Sequence, residues 1–246
     1  MTNPGRDSAE MYWPIEEAMD YTYADIAKMI DHSLLRPYYN DDELEAGCQL
    51  ALDYDVASVC IKPYYLKRAA AVLAGSDVKA TTTIGFPHGG HTTAIKIAET
   101  EQALADGAQE VDMVINIGKA LSRDWDFVRE DIAAVARVAH AGGALVKVIF
   151  ENCYLQDEHR IRLCEICGEV GVDWVKTSTG YGTGGAVMDD LRLMRKHAPA
   201  HVQVKAAGGV STLDIALEVR AIGCTRFGTL QTVEILEECK RRLAGS

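Results

Sequence analysis

The chain has 246 residues, 48% hydrophobic and 25% charged, the composition of a folded protein, which excludes collagen-like, low-complexity and disordered scaffolds. With 36 Asp+Glu against 25 Lys+Arg, the formal charge is −11, and the absence of any long basic run argues against nucleic acid as a partner. No apolar stretch approaches the ~20 residues that cross a bilayer, no secretion signal opens the chain, and seven scattered cysteines suit reduced thiols in a cytoplasmic protein.

Residues 1–21 are polar and interrupted by Pro4 and Pro14, and are expected to form an at most partly ordered leader. The rest, 22–246, reads as one domain without a linker. From Ala24 onward short β-branched runs alternate with segments of helical period. The first four predicted strand and helix pairs are 30–35 with 41–53, 57–61 with 64–73, 79–84 with 92–106, and 110–115 with 125–141. The second four are 145–150 with 156–170, 174–177 with 187–197, 203–206 with 211–222, and 225–227 with 233–243. Gly75, Gly107, Gly142, Gly171 and Gly223 follow helical segments, where a left-handed residue without a Cβ ends a helix cheaply. The acidic run Asp41-Asp42-Glu43 suits a helix N-terminus. Eight such units are the count that closes a parallel TIM (β/α)8 barrel. An open doubly wound sheet would carry fewer strands and a Gly-rich first strand–helix turn, which this chain lacks.

In such barrels the chemistry sits at the C-terminal ends of the strands. Asp112 interrupts Val111-Asp112-Met113-Val114 on strand 4, Lys147 interrupts Val146-Lys147-Val148 on strand 5, Lys176 ends strand 6 and Lys205 ends strand 7. A charge on a strand buried on both faces costs several kcal/mol unless it is paired. An ion-pair network filling the barrel would account for one such lysine. Two on adjacent strands, about 4.8 Å apart, would also repel. Repulsion and desolvation lower an ammonium pKa and expose the lone pair that a Schiff base needs, with Asp112 placed to move protons. The spacing therefore points to amine catalysis on a carbonyl substrate, without naming the substrate.

Glycines mark a second pattern. Thr179-Gly180 follows strand 6, Gly208-Gly209 follows strand 7, and Gly228 follows strand 8, with a helix from Ser211 pointing its positive end nearby. Loops after strands 7 and 8 are the usual phosphate cradle of the fold. Tight turn geometry explains any one of these glycines alone.

Taken in order, Ile30-Asp31-His32-Ser33-Leu34-Leu35, Ser58-Val59-Cys60-Ile61, Ile84-Gly85-Phe86-Pro87, Glu110-Val111-Asp112-Met113-Val114-Ile115-Asn116, Val146-Lys147-Val148-Ile149, Val175-Lys176-Thr177-Ser178-Thr179-Gly180 and Val204-Lys205-Ala206-Ala207-Gly208-Gly209 resemble the deoxyribose-phosphate aldolases, class I aldolases on a TIM barrel. The resemblance runs from about Asp25 to Gly228. It implies reversible cleavage of 2-deoxy-D-ribose 5-phosphate to acetaldehyde and D-glyceraldehyde 3-phosphate. Lys176 would be the Schiff-base lysine, Lys205 the neighbour that lowers its pKa, and Asp112 the proton relay. Asp31, Ser33, Cys60, Lys147 and Thr179 fall where the family lines its pocket, and Gly180, Gly208, Gly209 and Gly228 on its phosphate turns. No metal or organic cofactor is implied, the partner is a small aldehyde or sugar phosphate, and barrels of this kind often form homo-oligomers.

The chain departs from the family after Gly228. Relatives usually carry a small residue and two serines there; this chain has Thr229-Leu230-Gln231, leaving Thr229 and backbone N–H groups to meet a phosphate. Lys62 replaces a common asparagine beside the pocket, where it could offset lost donors or simply be solvated. Two alternatives follow: the same chemistry on an unphosphorylated or different hydroxyaldehyde, and a non-catalytic sugar-binding barrel.

Other signals read as structural. His88 and His91 flank a turn after strand 3 and would need a third ligand to hold a metal. Cys164 and Cys167 have redox-motif spacing but lie within a helix, away from the N-terminal dipole that activates such thiols. Packing is the default for Cys60, although a thiol beside an aldehyde pocket can be trapped by product.

Overall fold

The computed structural model describes residues 20–245. The leader expected over 1–21 lies almost entirely outside the described residues. The chain alternates eight strands with helices, in the order β1 (Ile30–Leu34), α2 (Asp41–Asp53), β2 (Ser58–Ile61), α3 (Leu66–Leu73), β3 (Lys79–Ile84), α4 (Thr93–Ala105) and β4 (Glu110–Val114). It continues with α5 (Ile117–Leu121), α6 (Trp125–Ala141), β5 (Leu145–Ile149), α7 (Asp157–Val170), β6 (Trp174–Lys176), α8 (Met188–His197), β7 (Gln203–Ala207), α9 (Leu213–Ala221), β8 (Arg226–Thr229) and α10 (Thr232–Ala244). A short α1 (Tyr23–Ala27) precedes β1. Neighbouring strands pair in parallel, and β8 returns to pair with β1, so the sheet closes into the expected (β/α)8 barrel.

The period of two along each strand sorts its residues. Val59, Val111, Val146, Val148, Val175, Val204 and Phe227 are fully buried in the hydrophobic layer between sheet and helices. The alternate positions carry Asp31, Cys60, Glu110, Asp112, Lys147, Lys176 and Lys205, equally buried but turned to the barrel interior. The hydrophobic effect thus holds the outer layer, while the inner layer depends on charge pairing. Local chemistry sets the helix starts. Asn40 and Glu43 form a reciprocal capping box on α2, whose first turn carries the acidic run, and Asp124 and Thr212 cap α6 and α9.

The differences from the sequence reading have local causes. The helix expected over 64–73 opens as a 3-10 turn, Pro63–Tyr65, because Pro63 starts it. The helix expected from Ser211 begins at Leu213, after its Thr212 cap. The last strand runs Arg226–Thr229, two residues beyond the expected end, since Gly228 lies within the strand. Of the five helix-ending glycines, Gly142 keeps a negative φ, and the left-handed residue there is Gly143, φ 79°. Helices α1 and α5 were not expected; each has five residues, too few to display a helical period.

Candidate active site

Strand register brings the ionisable residues together. Asp112 on β4 lies opposite Lys147 on β5, Lys176 on β6 opposite Lys205 on β7, and Lys205 opposite Arg226 on β8. Asp112 is completely buried and accepts from three lysine side chains: Lys147 on Oδ1 at 2.9 Å, and Lys176 and Lys205 on Oδ2 at 2.7 and 2.8 Å. Lys176 and Lys205 therefore share one carboxylate oxygen, as adjacent strands dictate. Thr177 fixes their strand ends, donating to the Ala207 carbonyl at 3.3 Å and accepting from the Ala207 N–H at 3.0 Å.

Below this pair sits a further set of charges. Asp31 pairs with Lys205 and Arg226 and lies 3.6 Å from the Lys147 ammonium. Glu110 pairs with Lys147, accepts from Arg226 at 2.9 Å, and accepts from the Thr81 hydroxyl at 3.1 Å. The Trp174 ring packs beneath, 5.2 Å from the Arg226 guanidinium and 5.8 Å from the Lys147 ammonium. Glu110 and Arg226 escaped the sequence reading, which sought charges at strand C-terminal ends. The signal was available: Glu110 lies two residues before Asp112 and therefore shares its inward face.

Each cation meets a different balance. Lys147 touches three carboxylates, Lys205 two and Arg226 two, whereas Lys176 touches Asp112 alone. Burial works against the Lys147 ammonium, but Asp112, Glu110 and Asp31 outweigh it and hold that group well above the ordinary lysine range. Lys205 is likewise raised, burial being overcome by Asp112 and Asp31. For Lys176 burial prevails over the single carboxylate, and the Lys205 charge adds to it, so its pKa falls. Asp112 itself is held far below the usual carboxylate range: burial opposes its charge, but Lys147, Lys176 and Lys205 dominate. The arrangement lowers the pKa of one amine beside a charged carboxylate, the direction that nucleophilic attack on a carbonyl requires.

The remaining predicted residues surround this centre to different degrees. Ser33 and Cys60 are register partners on β1 and β2, and burial pushes the Cys60 thiol up to about 11, leaving it protonated near neutral pH. Thr179 is buried and bound to Glu151, which accepts from the Thr179 hydroxyl and, at 3.1 Å, from its N–H. Glu151, also missed from sequence, follows β5 with φ 59°. Gly180 and Gly209 are exposed, with φ of 87° and 90°, a left-handed conformation that favours glycine, and nothing lies within 4 Å of a Cβ at either. At Gly208, φ 81°, a Cβ would come within 2.9 Å of Gly185 Cα, so glycine there lets the loop after β6 lie against the loop after β7. Gly228 faces the interior, its would-be Cβ 3.9 Å from Lys205 Cε.

Thr229 is less available than its position suggests. Its hydroxyl donates to the Val210 carbonyl at 2.7 Å and accepts from the Gln231 N–H at 3.0 Å. Lys62 donates to the Arg36 and Tyr39 carbonyls at 3.2 and 2.7 Å, holding the loop after β1 rather than standing free in solvent. Tyr181 reaches across the mouth from the loop after β6, donating to the Leu35 carbonyl at 2.6 Å and meeting Phe86 edge-on at 5.5 Å.

Of the rival signals, His91 lies 3.2 Å from Glu99 on α4. Cys164 and Cys167 are fully buried on α7, and burial raises both thiols, Cys164 to about 12.

A family model described as DeoC/LacD family aldolase matches residues 18–228. The chain is 64% identical over 224 residues to the deoxyribose-phosphate aldolase of Rhodopirellula baltica, covering 91% of this chain and 93% of that protein. With the deoxyribose-phosphate aldolase of Thermococcus gammatolerans it shares 48% over 215 residues, 87% of this chain and 96% of that one. A structure described as a unique tetrameric deoxyribose phosphate aldolase from Aeropyrum pernix superposes with a TM-score of 0.85 at 29% identity, over 95% of this chain and 99% of that one.

Proposed function

The chain belongs to the DeoC/LacD family of aldolases, and from that membership we propose that it reversibly cleaves 2-deoxy-D-ribose 5-phosphate to acetaldehyde and D-glyceraldehyde 3-phosphate, with Lys176 as the Schiff-base amine. The observation that carries the assignment of Lys176 is its single carboxylate contact, in a cluster where every other cation has at least two.

The neutral Lys176 amine adds to C1 of the open-chain aldehyde, and the carbinolamine hydroxyl takes up a proton from solvent and leaves as water, giving an iminium. Asp112 takes the proton from the C3 hydroxyl. The O–H pair becomes the new carbonyl, the C2–C3 bond breaks and frees D-glyceraldehyde 3-phosphate, and the electrons of that bond flow to the iminium nitrogen as an enamine. Asp112, held by the Lys205 ammonium, returns the proton to C2. Water then adds to the iminium carbon, releasing acetaldehyde, returning the proton taken up at dehydration to solvent and restoring the neutral amine. Ser33, Cys60, Lys147 and Thr179 line the pocket in this reading. The backbones of Gly180, Gly208, Gly209 and Gly228, with the N-terminus of α9, meet the 5-phosphate.

A second reading keeps the chemistry on an unphosphorylated hydroxyaldehyde. Its support is the commitment of the Thr229 hydroxyl hydrogen to the Val210 carbonyl, next to an apolar Leu230. Measuring kcat/KM for 2-deoxy-D-ribose with and without its 5-phosphate separates the two. A preference of at least about a hundredfold for the phosphorylated sugar is expected, since a phosphate on open backbone donors contributes a few kcal/mol. Equal values, or preference for the free sugar, would replace the first reading by the second. Absence of cleavage on both would leave the sugar-binding barrel.

We further propose one catalytic domain over 22–246 preceded by a leader, and a homo-oligomeric protein of the cytoplasm. The tetrameric relative supports self-association. The free state of the seven cysteines, Cys153 half-buried and the rest buried, suits a reducing compartment. Among the described residues no helix is long and apolar enough to cross a membrane.

A further inference from the structure

The buried charges form two tiers. The upper tier is Lys176, Lys205 and Asp112; the lower is Glu110 and Arg226, with Asp31 and Lys147 joining the two. Around the ring, the charged groups that pair with one another are Asp31 from β1, Glu110 and Asp112 from β4, Lys147 from β5, Lys176 from β6, Lys205 from β7 and Arg226 from β8, with the Thr81 hydroxyl of β3 bound to Glu110 and the Cys60 thiol of β2 also buried. Three carboxylates therefore confront four basic groups. Uncompensated charge is expensive in such an interior, so a ring with one base too many is most stable when one lysine gives up its proton.

We propose that Arg226 and Glu110, which have no part in the chemistry, set the protonation of the Schiff-base lysine through the charge count of the ring. Arg226 cannot itself be the group that releases a proton, because a guanidinium stays charged under all working conditions. It engages Asp31 and Glu110 together, leaving less carboxylate for Lys205 and Lys147, which in turn draw on Asp112. Lys176, with Asp112 as its one partner, is the member that yields. Arg226 is thus a positioning residue acting across the barrel, and its worth to the enzyme is a charge rather than a contact with substrate. The inference rests on Lys176 being the reacting amine.

The count makes predictions of opposite sign. Arg226→Met leaves three basic groups against three carboxylates, so Lys176 keeps its proton to higher pH. Glu110→Gln leaves four against two, so Lys176 loses it at lower pH. The double variant, Glu110→Gln with Arg226→Met, leaves three against two and restores a surplus of one.

The test is reductive trapping: the full-length protein is mixed with acetaldehyde and borohydride across a pH series, and the rate of adduct formation at Lys176 is followed by peptide mass mapping. The midpoint of the rate against pH is expected to rise by about one unit or more in Arg226→Met, fall by a similar amount in Glu110→Gln, and return near the parent value in the double variant. A structural role alone would make the two lesions add instead of cancelling. Should Arg226→Met not fold, the downward shift in Glu110→Gln still decides the matter. Adduct at Lys176 with an unmoved midpoint in the folded single variants overturns the inference while leaving the Schiff-base reading intact. No adduct at Lys176 in the parent protein overturns the Schiff-base reading itself.

Discussion

Two lysines in this molecule are deeply buried with lowered pKa values, Lys176 in the barrel and Lys96 on α4, and the proposed function gives a reaction to Lys176 alone. Lys96 donates to Asp131 on α6 at 2.6 Å and to the Val114 carbonyl at the end of β4 at 2.8 Å, with both side chains sealed from solvent. Burial lowers its pKa against the pull of Asp131. Asp131 in turn accepts from the Thr93 hydroxyl at 2.8 Å, so the pair closes on itself as one cation, one anion and satisfied neighbours. It pins two helices to the back of β4. Lys176 instead belongs to a ring with more bases than acids, and it ends a strand at the open face of the barrel. Desolvation alone therefore does not make a nucleophile; a charge imbalance and a path for substrate are needed as well.

The contrast is broken most directly by deleting each lysine. Lys176→Met should reduce turnover by at least about a thousandfold, because no other amine replaces the covalent step. Lys96→Met should keep the same reactive lysine and pH profile but leave the Asp131 charge buried without its cation, at about 3–5 kcal/mol of stability, read from urea midpoints. Loss of adduct formation in folded Lys96→Met would dissolve the distinction.

Removing the two carboxylates sharpens it. Asp112→Asn takes the shared negative charge from three lysines, so both stability and turnover should fall, the first by about 3–5 kcal/mol. Asp131→Asn should destabilise similarly while kcat/KM for the folded enzyme stays within a few fold. Comparing denaturant midpoints with steady-state rates in the same samples separates the outcomes.

His32 supplies a third environment, with burial and no charge. It lies one residue from Asp31 on the opposite face of β1, where Nδ1 is 2.9 Å from the Thr232 hydroxyl. Burial lowers its pKa from 6.5 to about 4. Between those values the unfolded chain binds the proton that the folded one refuses, so this share of stability is complete above pH 6.5 and lost as pH falls to about 4. The share is about 3 kcal/mol. Urea unfolding over that window should show the slope, and His32→Asn should flatten it.

The smallest effect is expected at the mouth. Tyr181→Phe removes the hydroxyl bond to the Leu35 carbonyl while keeping the ring against Phe86. It should raise KM by about two- to tenfold, the worth of one hydrogen bond, with kcat little changed. An unchanged KM would show that this strap does not shape the entrance.

Much of this was legible in the sequence because it is periodic. Alternating strands and helices gave eight units, and lysines at the ends of strands 6 and 7 could only be neighbours in a parallel sheet. Asp112 stood out as a carboxylate within Val111-Asp112-Met113. The lower tier was harder to see. Glu110 opens its strand after a polar Gln109, and Arg226 opens its own after Thr225, so both resemble ordinary solvated strand ends. Their burial depends on closure of the barrel, a long-range event without a local signature. Lys96 sits in Ala94-Ile95-Lys96-Ile97, where helical spacing alone does not reveal the aspartate 35 residues later. The engagement of Thr229 by Val210 and of Lys62 by Arg36 and Tyr39 likewise depends on loops meeting in space.

Peptide mapping after acetaldehyde and borohydride treatment at neutral pH addresses the central claim most directly. Covalent label is expected on Lys176, with Lys96, Lys147 and Lys205 unmodified. Label on one of those three in its place, or labelling and turnover that persist in Lys176→Met, would contradict it.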